Sequence, residues 1–152
     1  GGTFLVFSDY SRPAIRLSAI QNLQVIYEFT HDSFYLGEDG PTHQPVEHIM
    51  SLRTIPNLNV YRPADAKETA VSLECILQDT SKPSAILLSR QGLPQLDCEI
   101  EAIKDGVRKG GYIVKDCIGK PDIIIIATGS EVSLGIEVNS HMSDFQSLLH
   151  YR

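Results

Sequence analysis

Apolar and polar positions along the chain alternate between two rhythms. Residues 3–8, TFLVFS, form a continuous run of aromatic and β-branched side chains that stops at Asp9, which predicts a buried strand. Ser11, Arg12 and Pro13 then read as a helix start, with Ile15, Ala19, Ile20 and Leu23 at roughly helical spacing. Residues 24–29, QVIYEF, predict a second strand that runs into residues 30–48, THDSFYLGEDGPTHQPVEH. From Pro45 to Arg53 the spacing predicts a helix turning Val46, Ile49, Met50 and Leu52 inward, with Pro56 and Asn57 as its stop. A short strand follows at residues 59–62, then a helix capped by Asp65 and built on Ala70, Leu73, Ile76 and Leu77, then a strand at residues 84–89, SAILLS.

Residues 92–120 loosen into proline, glycine and mixed charge, with only residues 111–114 resembling a strand, so this stretch reads as an inter-domain connection. DIIIIA at residues 122–127, followed by Thr128, Gly129, Ser130 and Glu131, restarts the strand, turn and helix order; periodicity fades after Asn139. The predicted fold is α/β: a mainly parallel sheet flanked by helices, followed by the first strand-helix unit of a second α/β domain. The expected division is residues 1–105, a connection at 106–121, and an incomplete second domain at 122–152.

Composition narrows this picture modestly. With 42% hydrophobic and 21% charged residues among 152, the chain belongs with globular proteins. The net charge of -6, without clustered Lys and Arg, argues against a nucleic-acid surface. The longest strongly apolar run, residues 123–127, is too short to cross a bilayer. Three widely spaced cysteines, Cys75, Cys98 and Cys117, fit reduced thiols and a cytoplasmic location. The start at Gly-Gly-Thr, straight into an apolar run, reads as a piece of a longer protein.

The candidate chemistry concentrates in residues 30–48, which hold His31, His43 and His48 beside Asp32, Asp39, Glu38 and Glu47. Histidines whose charge changes near neutral pH, set beside carboxylates, suit proton handling or hydroxyl binding. Gly37 and Gly40 permit backbone conformations that a Cβ would block, and Pro41 stiffens the turn that sends His43 onward, so Asp39 and His43 are expected to be fixed in direction. In an open parallel sheet, ligands sit beyond the carboxyl ends of the strands, where this sequence places Tyr10, His31, His43, Arg62 and Arg90.

Rival chemistries fare less well. A metal site drawn from His31, Asp32, His43 and His48 lacks the four-residue spacing that would put two ligands on one helical face. No GxSxG-type elbow supports Ser-His-Asp catalysis. Gly129 and Ser130 suit an ordinary turn and helix cap better than an anion site. Phe4 and Phe7, three apart in a predicted strand, are core residues by spacing alone.

GEDGPTHQP resembles the pyrimidine-binding domain of transketolases, and so, in order, do GGTFLVFSDY, RLSAI, THDS, SLRTIPNLNVYRPAD, LSRQGLPQL, KGGYIVKD and KPDIIIIATGSEVSL. The resemblance implies an enzyme that uses thiamine diphosphate and Mg2+ or Ca2+ to move a two-carbon ketol unit from a ketose phosphate to an aldose phosphate in the pentose phosphate pathway. It implies sugar phosphates as substrates, a homodimer with no nucleic-acid or membrane partner, and a cytoplasmic location. Phe4, Phe7 and Tyr10 match the family's aromatic positions around the aminopyrimidine ring, which overrides the core reading for at least some of them. His43 and His31 match its catalytic histidines; Asp39, His31 and His43 match its sugar contacts, and Arg90 its phosphate-binding arginine. A guanidinium suits that role because its fork of donors matches phosphate oxygens two at a time.

Three departures accompany the match. The glutamate that activates the pyrimidine lies upstream of GGTF in the family, the domain holding the diphosphate and metal is absent, and the tail GIEVNSHMSDFQSLLHYR departs from the family pattern. The chain alone is therefore expected to be inactive. The alternatives are a related thiamine diphosphate enzyme, dihydroxyacetone synthase or 1-deoxyxylulose 5-phosphate synthase, or a non-catalytic truncated relative.

Overall fold

The structure is a computed structural model that describes residues 1–142 and the backbone of residues 147–151. Contacts divide the chain into two compact units, Gly1–Arg62 with Ser72–Gly92, and Pro63–Val71 with Leu93–Arg152. The first is built on a four-stranded sheet of β1 (Gly2–Phe4), β2 (Ile26–Thr30), β3 (Asn59–Tyr61) and β4 (Ser84–Leu87), in the order β1-β2-β4-β3. All three pairings are parallel, with Phe4 beside Thr30, Phe29 beside Leu87 and Tyr61 beside Ile86. The carboxyl ends of the four strands therefore share one edge. β4 is buried at all four positions, as expected of a central parallel strand covered on both faces.

The first predicted strand is shorter than its apolar run. After Phe4 the chain tightens into a 3-10 turn at Leu5–Phe7 and enters helix α1 (Ser8–Ile20) directly, so Pro13 lies inside the helix and not at its start. An interior proline removes one helical hydrogen bond. The helix forms because Ile15 and Ala19 on its buried face join a core with Leu5, Phe29, Leu52 and Leu87. Tertiary burial overrides the local signal. Ile20 and Leu23, expected inward, are exposed.

Helix α2 (His48–Arg53) begins three residues later than predicted; Leu52 is buried, while Val46 and Met50 face solvent. Helix α3 (Ala66–Gln78) has the expected cap, Asp65 Oδ1 accepting from the Glu68 N–H at 2.8 Å. Its buried apolar residues are Val71 and Ile76, whereas Leu73 and Leu77 are exposed.

The second unit contains more structure than the sequence predicts. Residues 92–120 hold helix α4 (Ile100–Lys109) and strand β5 (Tyr112–Lys115). α4 presents Ile103, Gly106 and Val107 inward and ends at Gly110, whose φ of 83° supplies the left-handed cap. Strand β6 (Ile123–Ala127) leads through Gly129 into helix α5 (Glu131–His141). Strand β7 (Ser147–Tyr151) comes from the segment without visible periodicity, of which residues 143–146 and 152 lie outside the described residues. It pairs parallel to β6 and antiparallel to β5, so the unit has a three-stranded sheet in place of the expected lone strand and helix.

The core of this unit joins Ala64, Leu96, Ala127 and Val132. Asp65 Oδ2 accepts hydrogen bonds from the Leu96 N–H at 2.9 Å and from the Gln95 side chain. Residues 95 and 96, expected in a loose connection, are thereby fastened to the start of α3. The three cysteines are free. Among the described residues no helix is long and apolar enough to cross a membrane.

Candidate active site

At the carboxyl edge of the first sheet, β1 delivers Phe4, the 3-10 turn delivers Phe7, and the first turn of α1 delivers Tyr10. Because the chain leaves β geometry after Phe4, the two phenylalanines do not point to opposite faces. Their rings stack with centroids 5.9 Å apart and planes 16° from parallel, and Tyr10 lies 6.2 Å beyond Phe7. Tyr10 is 86% exposed, so one end of this aromatic row is open to a ligand. Aromatic side chains combine a large apolar face with directional ring contacts, which suits a flat heteroaromatic guest.

Two histidines close over the row. His31, directly after β2, stacks on Phe4 with centroids 3.6 Å apart. Its φ of 58° places it in the left-handed region that non-glycine residues rarely occupy, and such strain clusters at functional sites. His43 meets Phe7 edge-on at 5.2 Å and Phe4 at 6.1 Å. Gly37 and Gly40, at φ of 87° and 79°, make the turns that bring it there, and the His43 N–H bonds to the Gly40 carbonyl at 3.1 Å. Each imidazole keeps Nδ1 against the hydroxyl of its preceding threonine, Thr30 at 2.9 Å from His31 and Thr42 at 2.8 Å from His43. A hydroxyl both donates and accepts, so Nε2 can carry or release a proton without breaking either contact.

Phe4, Phe7, Tyr10, His31 and His43 thus form one cluster of ring contacts, which Asp39 and Arg90 do not share. Asp39 is exposed, and no hydrogen bond holds its carboxylate among the described residues, because the glycines fix the backbone of this loop and not that side chain. Arg90 is likewise exposed, beyond the end of β4, where Ser89 Oγ donates to the Gln91 carbonyl at 2.8 Å. Arg62 is not a ligand-facing cation. Its Nε donates to Asp32 Oδ2 at 2.6 Å, with the two side chains 4% and 2% exposed.

Of the four residues weighed for a metal, Asp32 is bound to Arg62 and His48 to Asp9, while His31 and His43 each hold Nδ1 against a threonine hydroxyl. Ligand atoms of Asp9, Glu47 and His48 come within 4.8 Å of one another, but the Arg12 guanidinium lies 3.2 Å from Asp9 and opposes a cation there. Sequence reasoning passed over this group, because Asp9 and Arg12 belong to a helix distant in the chain from His48. Ser130 turns its hydroxyl onto the Glu131 carboxylate at 2.8 Å, consistent with a helix start and not an anion site. In the second unit a cavity of about 470 Å³ is lined by Leu96, Cys98, Val114 and Ile136 among others. Burial pushes the Cys98 thiol up, with Glu68 and Asp65 adding to the effect, so it is poorly suited to act as a nucleophile near neutral pH.

Comparison with known proteins bears on the family and the fold. The family model for the transketolase pyrimidine-binding domain matches residues 1–95. A transketolase of Aquifex aeolicus is 57% identical over 136 residues, covering 90% of this chain and 20% of the relative. The transketolase of Pichia stipitis in complex with sedoheptulose-7-phosphate superposes with a TM-score of 0.90 at 42% identity, over 99% of this chain and 22% of that one. A split-gene transketolase, solved as an inactive β4 tetramer, superposes at 0.78 with 25% identity, over 99% of this chain and 47% of that one. The chain spans about a fifth of the length of the curated relatives it matches. The family model covers the parallel sheet from β1 through β4, and the chain belongs to the transketolase family.

Proposed function

We propose that the chain is the pyrimidine-binding part of a transketolase, transferring a two-carbon ketol unit from a ketose phosphate to an aldose phosphate. The observation that carries this reading is the joining of Phe4, Phe7 and Tyr10 with His31 and His43 at one sheet edge. The half-buried phenylalanines and the open Tyr10 ring fit the aminopyrimidine of thiamine diphosphate, which supplies the carbanion chemistry when bound. The cluster contains no carboxylate, so its residues do not fit Mg2+ or Ca2+; those ligands belong to the longer polypeptide.

This chain's residues orient the sugar. His43 Nε2 binds the terminal hydroxyl of the ketol unit and moves a proton there, while Nδ1 stays on Thr42. His31 helps to bind the phosphate end, Asp39 accepts from a substrate hydroxyl, and Arg90 clamps the phosphate with paired donors. The Pichia stipitis relative was solved with a seven-carbon ketose phosphate, which supports sugar phosphates as the substrates.

The active enzyme is a cytoplasmic homodimer of the pentose phosphate pathway, with residues beyond this domain, including those of 122–152, opening its C-terminal domain. A chain limited to this part lacks turnover, a second reading favoured by the inactive split-gene tetramer. The test assays the full-length polypeptide with pentose phosphates, with formaldehyde and with pyruvate as alternative acceptors or donors. Ketol transfer between pentose phosphates is expected, and His43→Ala and Asp39→Ala lower it without unfolding the protein. Preference for formaldehyde or pyruvate would point to dihydroxyacetone synthase or 1-deoxyxylulose 5-phosphate synthase, and wild-type turnover in either variant would remove the site assignment.

A further inference from the structure

Asp9, Arg12, Ser51 and His48 close a ring between α1 and α2 through three side-chain contacts and the His48 backbone carbonyl. His48 Nε2 lies 3.1 Å from Asp9 Oδ2. The other Asp9 oxygen accepts from Arg12 Nη2 at 3.2 Å, the same nitrogen donates to Ser51 Oγ at 2.8 Å, and Ser51 Oγ donates to the His48 carbonyl at 3.0 Å. His48 is 4% exposed and the Asp9 side chain 55% exposed, so the histidine end of the bond is shielded from water while the carboxylate end is open to it.

The ring's position in the chain gives it a consequence for the site. Asp9 stands two residues after Phe7 and one before Tyr10. His48 stands five residues after His43, and buried Pro45, with its fixed φ, stiffens the segment between them. The same two segments therefore touch twice, at Phe7 against His43, where the rings are 5.2 Å apart, and at Asp9 against His48.

We propose that Asp9 and His48, with Arg12 and Ser51, form a positioning clamp that sets the place of His43 relative to the aromatic row. The clamp rests on the functional reading above: Phe7 and Tyr10 face the cofactor and His43 faces the sugar, so the clamp fixes the offset between the two. It touches neither ligand. A misplacement of the order of 1 Å lowers the reaction rate by up to about a hundredfold while leaving binding of each partner largely intact.

The experiment uses the full-length polypeptide with thiamine diphosphate and ketose and aldose phosphates. Asp9→Ala and His48→Leu are each expected to lower kcat about tenfold or more, with KM and cofactor affinity within about twofold. The double variant should fall no further than either single, because both break one ring. His48→Gln, whose amide N–H can replace the Nε2 donor, should restore kcat to within about twofold of wild type, an outcome that lost packing alone does not predict. Unchanged kcat in folded Asp9→Ala and His48→Leu, multiplicative losses in the double variant, or equal loss in His48→Gln and His48→Leu would each overturn the clamp. Absence of ketol transfer in the unsubstituted polypeptide would instead overturn the functional reading, and the clamp with it.

Discussion

Arg62 and Asp32 show how much the role of a single charged residue depends on what it meets. Both follow strand ends at the sheet edge, and both are almost wholly buried against each other. Removing one partner of such a pair strands the other charge away from water, at a cost of about 3–5 kcal/mol. Arg62→Leu is accordingly expected to lower the melting temperature sharply, and Arg62→Met combined with Asp32→Leu to recover most of the loss. A melting temperature unchanged in Arg62→Leu would show that the pair contributes nothing.

The same residue scale marks how far the sequence could be read. His31, His43 and Tyr10 stood out because they follow strand ends or sit in a glycine-bearing loop, whereas Phe4 and Phe7 read as core by spacing and joined them only through the family resemblance. Arg62 was misread as a crevice residue because its partner is 30 positions away. The Asp9 and His48 contact was missed for the same reason, at a separation of 39.

At the scale of elements, α4 was hidden by its charges and its internal glycine, although Ile100, Ile103 and Val107 recur at helical spacing and Gly110 supplies a standard stop. Gly106 is there for contact: a Cβ at that position would lie 2.3 Å from the Tyr112 ring. Gly106→Ala should therefore destabilise the protein by about 1–3 kcal/mol despite alanine's better helix propensity, because overpacking outweighs propensity. Equal or greater thermal stability in Gly106→Ala would contradict this packing.

After α3 the chain turns at Asp79, whose Oδ1 accepts from the Ser81 hydroxyl at 2.6 Å and the Ser81 N–H at 3.1 Å. These bonds hold the Asp79 carboxyl below the usual carboxylate range. A lowered folded pKa contributes stability above the unfolded value of about 3.9, and that stability is lost as pH falls through the folded value. Ser81→Ala should therefore move the acid-unfolding midpoint to higher pH, whereas the difference in stability between the two proteins should stay constant from pH 7 to 5.

At the scale of the whole molecule, strand and helix alternation was sufficient to read the α/β class from sequence, and four parallel strands with a shared carboxyl edge follow from it. What periodicity could not reveal is the second unit's membership. β7 pairs with β6 and β5 through backbone bonds that leave little pattern in side chains, and residues 95 and 96 are held by Asp65 from another segment.

The central claim is that one aromatic row binds the cofactor while a separate imidazole acts on the sugar. Calorimetric measurement of thiamine diphosphate affinity in the full-length polypeptide, paired with ketol-transfer rates, tests it most directly. Phe7→Ala should weaken cofactor binding about tenfold, through loss of a stacking face. His43→Ala should bind the cofactor within about twofold of wild type and lose about a hundredfold in kcat. Undiminished cofactor affinity in Phe7→Ala, or loss of affinity and turnover together in His43→Ala, would contradict that division of labour.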